Sequence, residues 1–330
     1  MDPERDGGDA MRGLSQERGA VAVFVAITMV VLLGVLGLAV DAGALYQERK
    51  ELRNGADAAV LAIAEDCALQ PGTCNSGTAA ATAKAYADRN ASDGLAAISG
   101  VDLDAMARTV SVHTSTLLTD GGTIFPPFFA SVVGFEGTTV HATASAEWGH
   151  ASSMRGTLPL IISECEFPFG APLPTSERVI TFHDGNNTEP CNAHAGQDTD
   201  GDGFLPGGFG WLDTEGPCGV DLTVFLWDWA DPGSSPSNGC DPSDLAALVG
   251  DEVALPFFID IDGQGNNGRY LVGGFGLFHV TGYNFGGQFK VNAPCSGDVR
   301  CISGFFTSGA IYEGEFGGPD FGIVIVKLTG

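Results

Sequence analysis

The 21 residues from Ala20 to Val40 carry no charge and no proline. At a rise of about 1.5 Å per residue, a helix of that length spans about 30 Å, the hydrocarbon thickness of a bilayer. No other stretch of the chain approaches it. The run predicts one membrane-spanning helix at residues 20–40, with everything after Asp41 on one side. Arg5, Arg12 and Arg18 precede it, as basic residues precede a signal peptide. The run is longer than an ordinary signal peptide's apolar region, and only a weak small-residue site, Ala42-Gly43-Ala44, follows it. A retained anchor is therefore expected.

Which side the bulk occupies is read from cysteine. All eight, Cys67, Cys74, Cys165, Cys191, Cys218, Cys240, Cys295 and Cys301, follow the run. None forms the tight C-x-x-C pair usual for zinc, so an oxidised set of disulfides fits better. Sequential pairing (67 with 74, 165 with 191, 218 with 240, 295 with 301) is the simplest arrangement, because each pair closes a short local loop. Flanking charge alone does not orient the helix, because Arg49, Lys50 and Arg53 balance the earlier arginines. The cysteines put the N-terminus in the cytoplasm and the bulk outside.

The net charge of −26 is shared by both halves: residues 1–150 carry 9 basic and 18 acidic side chains, residues 151–330 carry 6 and 23. No basic patch exists to meet phosphates, which argues against nucleic acid as a partner. Residues 1–19 read as a short disordered cytoplasmic tail. Beyond Asp41, Leu45, Leu52, Ala56, Ala59, Val60 and Ile63 recur near helical spacing, so the membrane helix is expected to continue outward as an amphipathic stem to about Ala68. Gln70-Pro71-Gly72 stops it, and Cys67 and Cys74 are placed to staple that turn. An alanine-rich helix follows from Ser76 to about Arg89. Residues 109–114 and 138–146 alternate as strands do. Between them, residues 124–133 form an apolar segment containing Pro126 and Pro127, read as a short helix.

Residues 151–330 are glycine-dense and lose the long helical periods. Candidate strands are 158–162, 178–182, 222–227, 253–261, 270–281, 285–291 and 322–328, with a short helix at 242–249 capped by Asp241. Many short strands with Gly/Pro turns predict a mainly-β sandwich or barrel. The fold class is therefore α+β: a membrane helix with its stem, a small α+β region to residue 150, and a disulfide-stapled mainly-β domain.

Residues 18–68 carry a more specific pattern. Arg18-Gly19 precedes the small-residue apolar run; then come Val40-Asp41-Ala42-Gly43-Ala44-Leu45-Tyr46, a charged segment, and Asn54-Gly55-Ala56-Asp57-Ala58-Ala59. This resembles the N-terminus of TadG-like and TadE/G-like pilus-assembly proteins of bacterial tight-adherence (Flp pilus) systems. Residues 139–146 are similar to the same family, and residues 207–213 (GGFGWLD) resemble a segment of its less-described members. The resemblance implies a pilin-like α+β region, a membrane and other pilus-assembly or pilin subunits as partners, and helix packing through Ala26, Gly34, Gly37 and Ala39. Processed pilins of this system carry Glu five residues after the cleaved glycine. Here Glu17 comes one position early after Gly13, and Phe24 takes that place after Gly19, so processing is not expected. Asp231-Pro-Gly-Ser-Ser235 is out of register with the metal motif of a von Willebrand A-type domain, so that domain is not expected either.

The sharpest local motif is Asp198-Thr-Asp-Gly-Asp-Gly203. Asp198, Asp200 and Asp202 alternate as Ca²⁺ ligands do, but the twelfth position, Phe209, is not the Glu of an EF-hand. A Ca²⁺ cage and a solvated acidic turn both remain open. Residues 260–268 form a weaker acidic turn, explained by a strand hairpin. His183, Cys191 and His194 make a poor metal set if Cys191 is in a disulfide. Trp227 and Trp229 flank Asp228 as same-face aromatics of a candidate strand and are expected in the core, with carbohydrate stacking as the alternative. No nucleophile–base, metalloprotease or phosphate-loop pattern appears. The sequence thus predicts a non-enzymatic, single-pass envelope protein, without a cofactor beyond possible Ca²⁺, that assists assembly or anchoring of a tight-adherence pilus. The alternative is a surface adhesion or ligand-binding module using the Asp198 loop.

Overall fold

A computed structural model describes residues 10–168, 173, 176–182, 208–214, 216–233, 235–263 and 267–329. The dominant element is α1, Ala10–Leu69, a helix of 60 residues. It begins ten residues before the apolar run, within the stretch where the sequence suggested a disordered tail. Its unbroken length follows from composition: no proline occurs between Pro3 and Pro71, and extending an existing helix is far easier than nucleating one. It ends in a short 3₁₀ turn, Pro71–Thr73, beneath a disulfide joining Cys67 to Cys74. Asn75 then starts α2, Ser76–Asn90. Its Oδ1 accepts the backbone N–H of Gly77 at 3.0 Å and of Thr78 at 3.1 Å, satisfying donors the new helix leaves free.

The chain divides into two compact units. The first holds residues up to 59, 80–101 and 112–144. In it α1 packs on α2 through small residues, and a Cβ added at Gly55 would lie 3.0 Å from the Cα of Ala87. Leu52, Ala87, Ala96 and Val140 form its buried cluster, with Leu45, Ile98 and Phe125 against them. Within this unit lie much of β1 (Ala96–Asp104) and β2 (Thr109–Thr116) and the start of β3 (His141–Thr157), ordered β1–β2–β3. The Thr114 hydroxyl donates to the Leu52 carbonyl at 3.1 Å, and Glu51 accepts both the N–H and the hydroxyl of Ser92, at 2.8 and 2.9 Å.

The second unit holds residues 60–79, 102–111 and 145–330. The later part of β3 pairs with β15 (Ile323–Leu328), which runs parallel to β13 (Gly309–Ile311). β7 (Val220–Thr223) and the two-residue β14 (Glu315–Phe316) also pair with β3. The other strands are β4 (Leu160–Ser163), β5 (Arg178–Thr181), β6 (Phe209–Leu212), β8 (Trp227–Asp231), β9 (Glu252–Asp262), β10 (Arg269–Gly286), β11 (Phe289–Val291) and β12 (Cys301–Thr307). Their pairings form a circuit, β10–β8–β6–β4–β9 and back to β10, which removes the open edges such strands would otherwise expose. β12 and β5 extend the sheet from the far half of β10. The mainly-β character follows the sequence reading, and the barrel-like closure selects between its two architectures.

Several elements differ from expectation. The strand expected at 222–227 is two strands, β7 and β8, separated by a turn in which Phe225 takes φ 62°. The segment at 124–133 forms only a 3₁₀ turn, Ala130–Val133, since the paired prolines hold the residues before it extended. Its C-cap, Gly134, sits at φ 85°. The expected helix at 242–249 shortens to α3, Pro242–Ala246, with a reciprocal capping box between Asp241 and Asp244. Trp227 and Trp229 are not core: they are 39% and 53% exposed, and the Arg269 guanidinium lies over both rings, 5.5 Å from each centroid. β10 presents Arg269 directly opposite Trp229, and Asp262, opposite it on β9, bonds the same guanidinium. The acidic stretch from Asp260 is the end of β9 and the turn into β10, with residues 264–266 outside the described set.

Two further disulfides, Cys218–Cys240 and Cys295–Cys301, lie in this unit. A bridge across 22 residues removes denatured-state entropy worth about 3 kcal/mol. The partner assigned to Cys165 by sequential pairing, Cys191, lies outside the described residues.

Burial raises the Tyr270 hydroxyl to about 12. Its ring packs on Phe258, 4.9 Å between centroids. The sign follows from linkage. Above pH 10 the unfolded chain ionises this phenol while the folded chain keeps it neutral, so stability is full below pH 10 and falls as pH rises toward 12. Urea unfolding at pH 9 and pH 11.5 should show a loss of roughly 2 kcal/mol that Tyr270→Phe abolishes. An equal loss in the variant would remove Tyr270 as its cause.

Candidate functional site: the apolar segment of the long helix

Within α1, Val21 to Leu36 are all exposed, as are Leu38 to Val40. The most apolar 18-residue window has a mean hydropathy of 2.9, and only 6% of it is buried. A core helix of a soluble protein would cover such a surface, because water penalises it by about 25 cal/mol per Å². Among the described residues, this is the one helix long and apolar enough to cross a membrane.

Of the small residues singled out in the run, Gly37 is already occupied. It is the one buried position there, and a Cβ added to it would fall 2.9 Å from the Cβ of Phe129. Gly34 has nothing within 4 Å of that position, so its face is open.

The end of the run is fixed by Asp41, only 6% exposed. Its Oδ1 accepts the backbone N–H of Phe128 at 2.7 Å, and its Oδ2 that of Ala130 at 2.6 Å. The N–H of Phe129 lies between the two oxygens, at 3.2 and 3.1 Å. One carboxylate on α1 thereby caps the 3₁₀ turn Ala130–Val133, satisfying amides that a turn's start leaves without partners. The sequence reading quoted Asp41 within the family pattern but assigned it no partner, since its ligands lie 87 to 89 residues away.

In the second unit, a cavity of about 300 Å³ is lined by Cys67, Cys74, Arg108, Trp148, His150 and Asp320, among others. His150 Nδ1 stands 3.4 Å from Asp320. Burial pushes the His150 imidazole below its ordinary value and Arg108 adds to this, while Asp320 partly opposes them. Both lining cysteines are bonded to each other, so neither is a thiol.

Asp198, Asp200 and Asp202 lie outside the described residues, as do His183, Cys191 and His194. Among the described residues no three His, Cys, Asp or Glu side chains cluster as metal ligands would. Of the segment at residues 207–213, β6 is fully buried, with Trp211 packed edge-on against Phe209 and Phe285.

Residues 19–65 match the Tad family model, described as putative Flp pilus-assembly TadE/G-like. The match covers the apolar run, Asp41 and most of the stem. No curated protein and no solved structure matches the chain.

Proposed function

We propose, from the TadE/G-like match at residues 19–65, that this chain is a single-pass membrane protein that assists assembly or surface anchoring of a tight-adherence (Flp-type) pilus. The observation that carries the reading is that the matched segment contains the exposed, bilayer-length part of α1. A helix of this kind has two uses: it anchors the chain in lipid, and its open Gly34 face admits a neighbouring helix at close range. The disulfides favour an oxidising compartment for the rest of the chain, with residues before Ala20 in the cytoplasm. In this reading the role is structural rather than enzymatic. The helix positions the protein, the first unit is the pilin-like part, and the mainly-β unit faces outside to meet partner subunits.

Fractionation of cells, with intact-mass analysis and non-reducing peptide mapping, tests it. An uncleaved chain in the membrane fraction, with its cysteines oxidised, is expected. A chain shortened before Ala20 and recovered in sheared filaments would make it a filament subunit instead. Free thiols would reverse the topology.

A further inference from the structure

Residues 121–135 contain no charged side chain, and several of their large apolar groups face solvent. Phe128 is 70% exposed, Val132 89% and Val133 77%. A soluble surface rarely gathers such groups without covering them. The segment is not placed at random: Phe129 sits against Gly37 in the last turns of the apolar run, and Asp41 grips the amides of residues 128–130.

Its backbone is also unusually self-contained. Phe125 exchanges both backbone bonds with Thr138, at 2.9 and 3.3 Å, and Pro126 and Pro127 have no N–H to satisfy. The amides of Val132, Gly134 and Phe135 bond carbonyls within the turn, each at 3.1 Å. Together with the Asp41 clamp, these bonds pair most of the segment's N–H groups, which lowers the cost of placing it where unpaired backbone groups cannot turn to water.

We propose that residues 124–135 are a second membrane contact, an apolar foot that inserts Phe128, Val132 and Val133 into the boundary between headgroups and acyl chains beside the end of α1. The occupant is lipid rather than a protein groove because the exposed surface is continuous with the lipid-length face of the helix, through Gly37 and Phe129, and carries no charge to select a partner. The foot fixes the height and rotation of the first unit at the bilayer, which a lone helix leaves free. The inference rests on the anchored reading of α1.

The test uses the full chain, oxidised and reconstituted in phosphatidylcholine vesicles. Val132→Cys and, separately, Phe24→Cys are labelled with a polarity-sensitive fluorophore. Lipids with a nitroxide near the headgroup end of the acyl chain are then added. Blue-shifted emission at both positions, with position 132 losing most of its emission to the nitroxide, is the expected result. Blue-shifted emission at 24 with aqueous emission at 132 overturns the foot and leaves the anchor intact. Blue-shifted emission at 132 that the nitroxide does not quench overturns it too, in favour of a protein such as a second copy. Aqueous emission at both positions overturns the foot and the anchored reading together.

Discussion

Asp41→Ala should release residues 124–135 from α1. The carboxylate accepts three backbone N–H groups while almost wholly buried, and alanine supplies no acceptor in its place. Hydrogen bonds to a charged acceptor contribute about 1.5–3 kcal/mol each, but these three act on one turn and are lost together. Because the three share one carboxylate and one turn, a local loss of about 3 kcal/mol is expected, less than three independent bonds would give. That corresponds to roughly a hundredfold fall in hydrogen-exchange protection at residues 128–130. Amide exchange measured by mass spectrometry on the detergent-solubilised chain reads it directly, and the amides of β12, in the other unit, provide the unaffected reference. Asp41→Asn keeps one acceptor oxygen and should lose less. Unchanged protection at 128–130 in Asp41→Ala would mean that the clamp does not hold the turn.

That clamp illustrates what could and could not be read from the chain. The helix was legible because its signals are local: an uncharged run, then apolar residues at helical spacing, then Pro71. Leu52, Ala56, Ala59, Val60 and Ile63, picked out by that spacing, are all buried. Asp41's partners are not local, and nothing in a run ending Val40-Asp41 says which distant amides it will accept. The β region shows the same boundary. β9 was legible nearly whole as 253–261, whereas β10, one strand from Arg269 to Gly286 that holds five glycines, was read only as 270–281, with a separate strand at 285–291. Tertiary contact explains two of the glycines: Gly274 and Gly276 lie where Phe321 and Phe257 press against the strand. Trp227 and Trp229 show the reverse error. Alternation put them correctly on one face, but a face has two possible surroundings, and the cross-strand Arg269 that makes theirs polar lies 40 residues from Trp229.

Trp211→Ala should produce the largest fall in stability in the mainly-β unit. Trp211 is 1% exposed and sits in β6 between β4 and β8, inside the strand circuit. Its ring meets Phe285 edge-on at 5.0 Å and Phe209 at 6.5 Å, and Tyr283 stacks on Phe285 behind them at 4.9 Å. Truncation removes the hub of that aromatic group and leaves a cavity that two strands cannot collapse to fill. Such substitutions cost about 3–5 kcal/mol. In a unit of this size that lowers the melting temperature by about 10 °C, measurable by near-ultraviolet circular dichroism of the oxidised chain. The indole N–H has no hydrogen-bond partner among the described residues, so Trp211→Phe forfeits packing but no bond and should cost about 1–2 kcal/mol. The two variants together separate packing from recognition in the segment at residues 207–213. If Trp211 served instead as an exposed platform for a ligand, Trp211→Ala would leave the melt of the unliganded chain unchanged, and its burial in the strand circuit argues for the opposite result.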